Sequence, residues 1–385
     1  MVWGNPVRSL VWYSFSLLAV AGLAGCSMAR PQPAVAPTPT ATPPSAETPK
    51  SGHVDMKEGH EPASTAGGVA ALTLIRRLDG VNKHEGGPGI VGERFGISAM
   101  ADDMDGDGIA DIIVGAPRAD LSGTPGTNEG IVLVYSGAAL LKGAEVADAL
   151  LYQVGGEATV NGTGELGFRQ SIATADLDKD GLPELLVGAW LADPVINGVP
   201  QVDGGTLFVF SGAALLRGAR QEEALLFRLD GEAGSRLGRP VLIVGDLNRD
   251  GSPDFFVGAH RASPVGRKNA GSGYLISGAD FSILQRFNGE SAHDFLGRSV
   301  TSIGDLNGDG YPDLAVGASQ GDGGQAGGIP TGPGYVNIYS GKDYSLLHRL
   351  SPPPSDPAGS FGQTTVYTPT PGAGVDFNGD GVADI

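Results

Sequence analysis

The stretch Asp103-Met104-Asp105-Gly106-Asp107-Gly108-Ile109-Ala110-Asp111 runs directly into the apolar segment Ile112-Ile113-Val114-Gly115-Ala116-Pro117. Carboxylates stand at positions 1, 3, 5 and 9 of a nine-residue frame, with glycine at position 6. Alternate side chains of a curled loop can point inward together, and glycine lets the chain turn sharply. A hard cation such as Ca2+ takes six to eight oxygens in flexible geometry, and the carbonyl of position 7, here Ile109, can supply one of them. The apolar run that follows reads as a buried strand.

The frame returns four times. Asp176, Asp178, Asp180 and Glu184 carry it with Leu182 at position 7, and Asp246, Asn248, Asp250 and Asp254 with Ser252. Asp305, Asn307, Asp309 and Asp313 follow with Tyr311, then Asp376, Asn378, Asp380 and Asp384 with Val382. The loops begin 73, 70, 59 and 71 residues apart, and periods of this size mark a repeat architecture. One such loop alone reads as Asx turns capped by glycine. Five in one register favour a metal frame, because so many crowded acids repel one another without a cation.

Other signatures recur between the loops. Val-Gly-Ala appears at 114–116, 187–189, 257–259 and 316–318, and Ser-Gly at 136–137, 211–212, 277–278 and 340–341. Each unit reads as four strands: one such as Leu226-Phe227-Arg228-Leu229-Asp230-Gly231, a second after a Phe-Gly or Leu-Gly pair, the Val-Gly-Ala strand after the acidic loop, and a strand ending in Ser-Gly. A single small sheet cannot bury both faces, so such units stack radially as blades. With 63 glycines, 27 prolines and 6% aromatics among 385 residues, the composition suits short strands and tight turns, and the expected fold class is all-β.

Phe95-Gly96, Leu166-Gly167, Leu237-Gly238, Leu296-Gly297 and Phe361-Gly362, together with Gly115-Ala116-Pro117, resemble the FG-GAP repeats of integrin α-subunit propellers. Later units carry Trp190, His260 or Ser319 in place of the GAP proline. The resemblance covers about residues 70–385. It implies a β-propeller of four-stranded FG-GAP blades, with one Ca2+ in the loop joining the first two strands of a blade and up to five in all. It also implies ligand recognition on the opposite face, in the long loops at about 117–130, 190–204, 260–272 and 319–334. Arg118, Trp190, His260 and Arg261 are then candidate contacts for an unknown protein or glycan ligand. Four complete periods with partial terminal blades suggest truncation relative to the family's usual seven; closure as a five-bladed ring through Leu72-Thr73-Leu74-Ile75-Arg76 is the alternative.

Other metal chemistries fit less well. An EF-hand needs glutamate at position 12, which here is Val114, Val187, Val257 or Val316. Magnesium holds its waters too tightly for an all-protein cage, and zinc would want Cys or His, which these loops lack. A net charge of −18 and a pI near 4.6 argue against nucleic acid as a partner, since phosphate binding needs clustered Lys and Arg.

The N-terminal part reads separately. After Arg8, an apolar run from Leu10 to Gly22 fits the core of an export signal. Leu23-Ala24-Gly25-Cys26 resembles a bacterial lipobox, making Cys26, the single cysteine, the lipidated residue; an ordinary cleaved signal with an incidental cysteine is the alternative. Residues 1–26 are thus expected to be a lipoprotein signal, 27–69 a disordered Pro/Ala/Thr-rich linker, and 70–385 a propeller incomplete at its C-terminus. The whole is expected to be exported and lipid-anchored to the bacterial cell envelope, at the outer membrane or cell surface.

Gly317-Ala318-Ser319-Gln320-Gly321 matches a nucleophile elbow, but that motif needs a following helix, and a glycine-rich run follows here. His84, His260, His293 and His348 form no sequence cluster. The chain is therefore expected to be a surface-anchored, calcium-binding adhesion or recognition module and not an enzyme, the alternative being a propeller associated with hydrolysis.

Overall fold

The computed structural model describes residues 13–15, 78–80, 94–121, 127–157, 159, 164–321, 332–352 and 361–362. Cys26, residues 72–76 and the fifth acidic loop at 376–384 lie outside them. Two short strands, β1 (Tyr13–Phe15) and β2 (Leu78–Gly80), pair antiparallel.

Four antiparallel four-stranded sheets make up the rest. The first runs in order through β3 (Ser98–Asp102), β4 (Asp111–Ala116), β5 (Ile131–Tyr135) and β6 (Leu150–Gly155). The second joins β7 (Ile172–Ala175), β8 (Glu184–Ala189), β11 (Thr206–Phe210) and β12 (Leu225–Asp230), and the small ribbon β9 (Val195–Ile196) and β10 (Val199–Pro200) projects from its β8–β11 connection. The third is β13 (Leu237–Gly245), β14 (Asp254–Ala259), β15 (Ser272–Ile276) and β16 (Ile283–Asn288), and the fourth is β17 (Leu296–Gly304), β18 (Asp313–Ala318), β19 (Tyr335–Tyr339) and β20 (Leu346–Leu350).

The sheet boundaries correct the unit read from the sequence by one strand. Leu225–Asp230 pairs with Thr206–Phe210, so it closes the second sheet and does not open the third. A second difference lies at Ser-Gly: in the first two sheets it opens single-turn helices, α1 (Gly137–Leu141) and α2 (Gly212–Leu216), where strand ends alone were expected. The Ser136 and Ser211 hydroxyls cap them by accepting from the Ala139 and Ala214 N–H groups, each at 3.2 Å. A third helix, α3 (Gln221–Ala224), leads into β12.

The core lies between blades, as the two-residue period of a strand requires. Leu185 and Val187 of β8 join Val132, Val134 and Val154 of the first blade, while Leu186 between them joins Val241, Phe255 and Val257 of the third. Phe256 of β14 turns the other way, to Val300, Leu314 and Val316 of the fourth. Strands β8, β14 and β18 are consequently buried along their whole length, which explains their continuous apolar runs.

What sets the blade spacing is backbone. A Cβ on Gly115 would run into the carbonyl oxygen of Gly167, one on Gly188 into that of Gly238, one on Gly258 into that of Gly297, and one on Gly317 into that of Gly362. Each GAP glycine therefore lies on the FG glycine of the following blade. Those FG glycines hold φ between +73° and +105°, a region costly for any other residue. Backbone bonds reinforce the contact: the Leu237 N–H donates to Gly204 O at 2.9 Å and the Leu296 N–H to Ala270 O at 3.0 Å.

This predicts that Gly258→Ala costs about 3 kcal/mol in a denaturant titration, because the methyl group must force two blades apart. Gly234→Ala should cost only about 1 kcal/mol, since Gly234 has φ +74° but open space around its Cβ position. Equal costs would contradict the contact.

Candidate metal centres and the opposite face

Each described acidic loop joins the first two strands of its blade, at 103–110, 176–183, 246–253 and 305–312. Oxygens of Asp103, Asp105 and Asp111 lie within 4.8 Å of one another, as do oxygens of Asp176, Asp178 and Asp180. The other two loops carry Asn248 and Asn307 at position 3, and there the amide closes the loop by donating to Asp250 at 2.7 Å and to Asp309 at 3.0 Å.

Backbone N–H groups shape the loops. Asp103 accepts from Gly106 at 2.9 Å, Asp107 at 3.1 Å and Gly108 at 2.8 Å. Asp246 accepts from Asp250 and Gly251, Asp305 from Asp309 and Gly310, and Asp176 from Gly181. Position 5 accepts from position 7 throughout, as in Asp107 from Ile109, Asp180 from Leu182, Asp250 from Ser252 and Asp309 from Tyr311. Asx turns and inward-pointing acids are thus the same geometry: the turns aim the carboxylates.

Position 9 does something the sequence did not reveal. Asp111, Glu184, Asp254 and Asp313 are fully buried. Asp254 Oδ2 accepts from the Leu247 N–H at 2.8 Å and the Asn248 N–H at 3.2 Å, while its Oδ1 accepts from the Gly278 N–H of the Ser-Gly corner at 3.3 Å. Asp111 holds Met104, Asp105 and Gly137 in the same way, and Asp313 holds Leu306 and Gly341. The corner glycines are needed because a Cβ there would strike the position-8 carbonyl of Ala110, Pro183, Pro253 or Pro312. One carboxylate therefore pins an acidic loop to the third strand of its own blade.

Burial pushes the Asp254 carboxyl up to about 6 and Glu184 up to about 7, the latter helped by the charges of Asp178 and Asp180; it also raises Asp111 and Asp313. In the second loop Glu184 Oε2 accepts from Leu177 at 2.8 Å, but Glu184 Oε1 and Asp176 Oδ1 are buried with no hydrogen-bond partner. Neighbouring loops also touch. The Ser252 hydroxyl donates to Leu177 O at 2.8 Å, and Arg249 lies 3.7 Å from the Tyr311 ring centroid while donating to Gly310 O at 2.8 Å.

At the other end of the strands the expected ligand contacts need correction. Trp190 and His260 are only 8% and 2% exposed; they stack on each other with ring centroids 6.3 Å apart, and Phe168 stacks on Trp190 at 5.5 Å. Burial removes both from direct contact with a surface ligand. Arg118 and Arg261 stay half-buried. Arg118 donates to Glu165 at 2.8 Å, and Trp190 Nε1 donates to the other oxygen of that carboxylate at 3.0 Å. Ser319 is buried, with its hydroxyl donating to Gly321 O at 2.8 Å. Among the described residues, no helix is long and apolar enough to cross a membrane.

Blades of this construction define an FG-GAP β-propeller. The FG-GAP repeat family matches residues 95–135, 241–276 and 296–336, and the chain is integrin-α-like in sequence. It is 30% identical to integrin alpha-5 of Xenopus laevis over 234 residues, 58% of this chain and 20% of that protein. It is likewise 30% identical to human integrin alpha-7 over 213 residues, 54% of this chain and 15% of that protein. The chain thus spans a fifth or less of these relatives. Among solved structures, a rhamnogalacturonan lyase of Bacillus licheniformis matches with 14% identity over 66% of this chain and 50% of its own, at a TM-score of 0.34. Rhamnogalacturonan lyase YesW matches with 15% identity over 69% and 49%, at 0.37. With rhamnogalacturonan lyases among the solved structures that match, the expectation that the chain is not an enzyme does not stand.

Asp254→Ala, measured in chelator so that metal plays no part, should cost about 3 kcal/mol, because it strands buried N–H groups. Asp250→Ala in the same loop, at an exposed position, should cost about 1 kcal/mol. A denaturant titration checks both, and equal losses would remove the pinning role of position 9.

Proposed function

We propose that the acidic loops hold Ca2+ and that the propeller is a calcium-stabilised adhesion or recognition module. The observation that carries the metal reading is the donor set of the first two loops. Asp103, Asp105 and Asp111 converge, and so do Asp176, Asp178 and Asp180, while Asp176 Oδ1 and Glu184 Oε1 are buried without a partner. Unpaired buried carboxylate oxygens are costly, and a hard divalent cation supplies the missing counter-charge to an all-oxygen set. In the third and fourth loops Asp246, Asn248, Asp250 and Asp305, Asn307, Asp309 would take the same part, as would the fifth frame at 376–384.

A cation there would fix the first two strands of a blade relative to each other and leave the opposite face free for recognition. Rigid scaffolds with exposed loops at one end commonly bind partners in this way. The similarity to integrin α chains supports an adhesive role, and the lipid anchor expected at Cys26 suits display at a surface.

A melt of the chain in Ca2+ and in chelator tests the metal reading. Binding to the folded state alone contributes about 2.7 kcal/mol per site at a hundredfold excess over Kd, so Ca2+ should raise Tm by several degrees. Asp103→Asn with Asp176→Asn should remove part of that rise. A Tm indifferent to Ca2+ would overturn the proposal.

A further inference from the structure

Although the chain carries a net charge of −18, one end of its blades is crowded with arginine. Arg94, Arg236, Arg239 and Arg298 stand directly beside FG elements, Arg169 follows one by two residues, and Arg261 follows the third residue of a GAP element. They come from four successive blades yet meet around the Phe168–Trp190–His260 stack. Arg94, Arg169 and Arg239 lie 5.8, 5.6 and 5.0 Å from the Phe168 ring centroid, and Arg239 and Arg236 lie 5.4 and 4.9 Å from that of Trp190.

Glu165 is held by Arg118 and Trp190, and Asp203 pairs with Arg236 at 3.3 Å. Arg94, Arg169 and Arg239 make no ion pair among the described residues. Mutual repulsion reaches Arg239, whose pKa falls to about 10 through burial first and then through Arg298, Arg169 and Arg236, so it remains charged at neutral pH. Beneath the arginines lies His260, 2% exposed with Nδ1 lacking any hydrogen-bond partner. The same burial and the guanidinium groups of Arg298, Arg239, Arg236 and Arg261 hold it neutral.

We infer that this end of the propeller binds an acidic polysaccharide, with the guanidinium groups of Arg94, Arg169, Arg239 and Arg298 engaging its carboxylates or sulfates. The inference rests on the reading of this face as the recognition face and supplies its ligand class. The guanidinium fork matches planar oxyanions in two-bonded geometry, and charges spread over consecutive blades suit a linear polymer with regularly spaced anions. An acidic peptide fits less well. Peptides commonly add main-chain bonds to an open strand edge, and beside the FG elements, where the arginines stand, backbone is already bridged, Gly205 to Leu237 and Gly271 to Leu296.

Binding of the full chain to polygalacturonate, heparin, neutral dextran and poly-glutamate, at constant Ca2+ and at low and high salt, tests the inference. Wild type should bind at least one of the two acidic polysaccharides, ignore dextran, and weaken with salt. Arg169→Glu and Arg239→Gln should each weaken binding at least tenfold; Arg169 is exposed, so its replacement leaves folding intact, as circular dichroism will show. Poly-glutamate binding as tight as the polysaccharides would overturn the ligand class. Failure to bind either polysaccharide, or binding that survives both substitutions through Ca2+ bridges at the acidic loops, would overturn the site. Either failure beside an intact Ca2+-dependent Tm sinks this inference alone and leaves the metal proposal standing.

Discussion

Consecutive blades are brought to their working distance by main chain lying on main chain. Gly115, Gly188, Gly258 and Gly317 each sit on the carbonyl of the next FG glycine, with no room for even a methyl group. The chain length between these partners within a blade is nearly constant: Gly96 to Gly115, Gly167 to Gly188, Gly238 to Gly258 and Gly297 to Gly317 span 19 to 21 residues. Variation in repeat length falls on the far side of the GAP element, where connections run over the surface. Because the spacing is fixed by backbone, the interleaved side chains can form one core at each junction, with Leu185 and Leu186 of the same strand serving different neighbours.

The same strands carry opposite chemistry at their two ends. At one end, Asp111, Asp254 and Asp313 at position 9 spend their carboxylates on backbone N–H groups of the loop and of the Ser-Gly corner, and this fixes where the remaining acids point. At the other end, arginines flanking the FG elements converge on a buried aromatic stack. The separation follows from geometry. The FG and GAP elements meet at one end of the second strand, and the acidic frame feeds its other end, so residues placed beside either motif are sorted by it.

Much of this was legible in the residues. The FG and GAP glycines and the acidic frame could be read because each meets a local demand: a positive φ, a close backbone approach, a cage of oxygens. The sheet boundary was not, because in a meander any strand can be counted as the first, and only pairing assigns Leu225–Asp230 to the preceding blade. The single-turn helices escaped because Gly137–Leu141 and Gly212–Leu216 are too short to show a period. The pinning role of position 9 depends on a glycine far along the chain, as Gly137 is from Asp111. Trp190 and His260 stand where the family places surface loops, and only the stacking of blades shows them to be buried.

The account turns on whether the inward-aimed acids share an ion. Anomalous diffraction from crystals grown in Ca2+, collected at long wavelength, is the most direct measurement. It should show calcium peaks inside the loops at 103–111 and 176–184, ringed by aspartate oxygens at about 2.3–2.6 Å. Well-ordered loops with no peak, their carboxylates engaged only by backbone N–H groups, would contradict it.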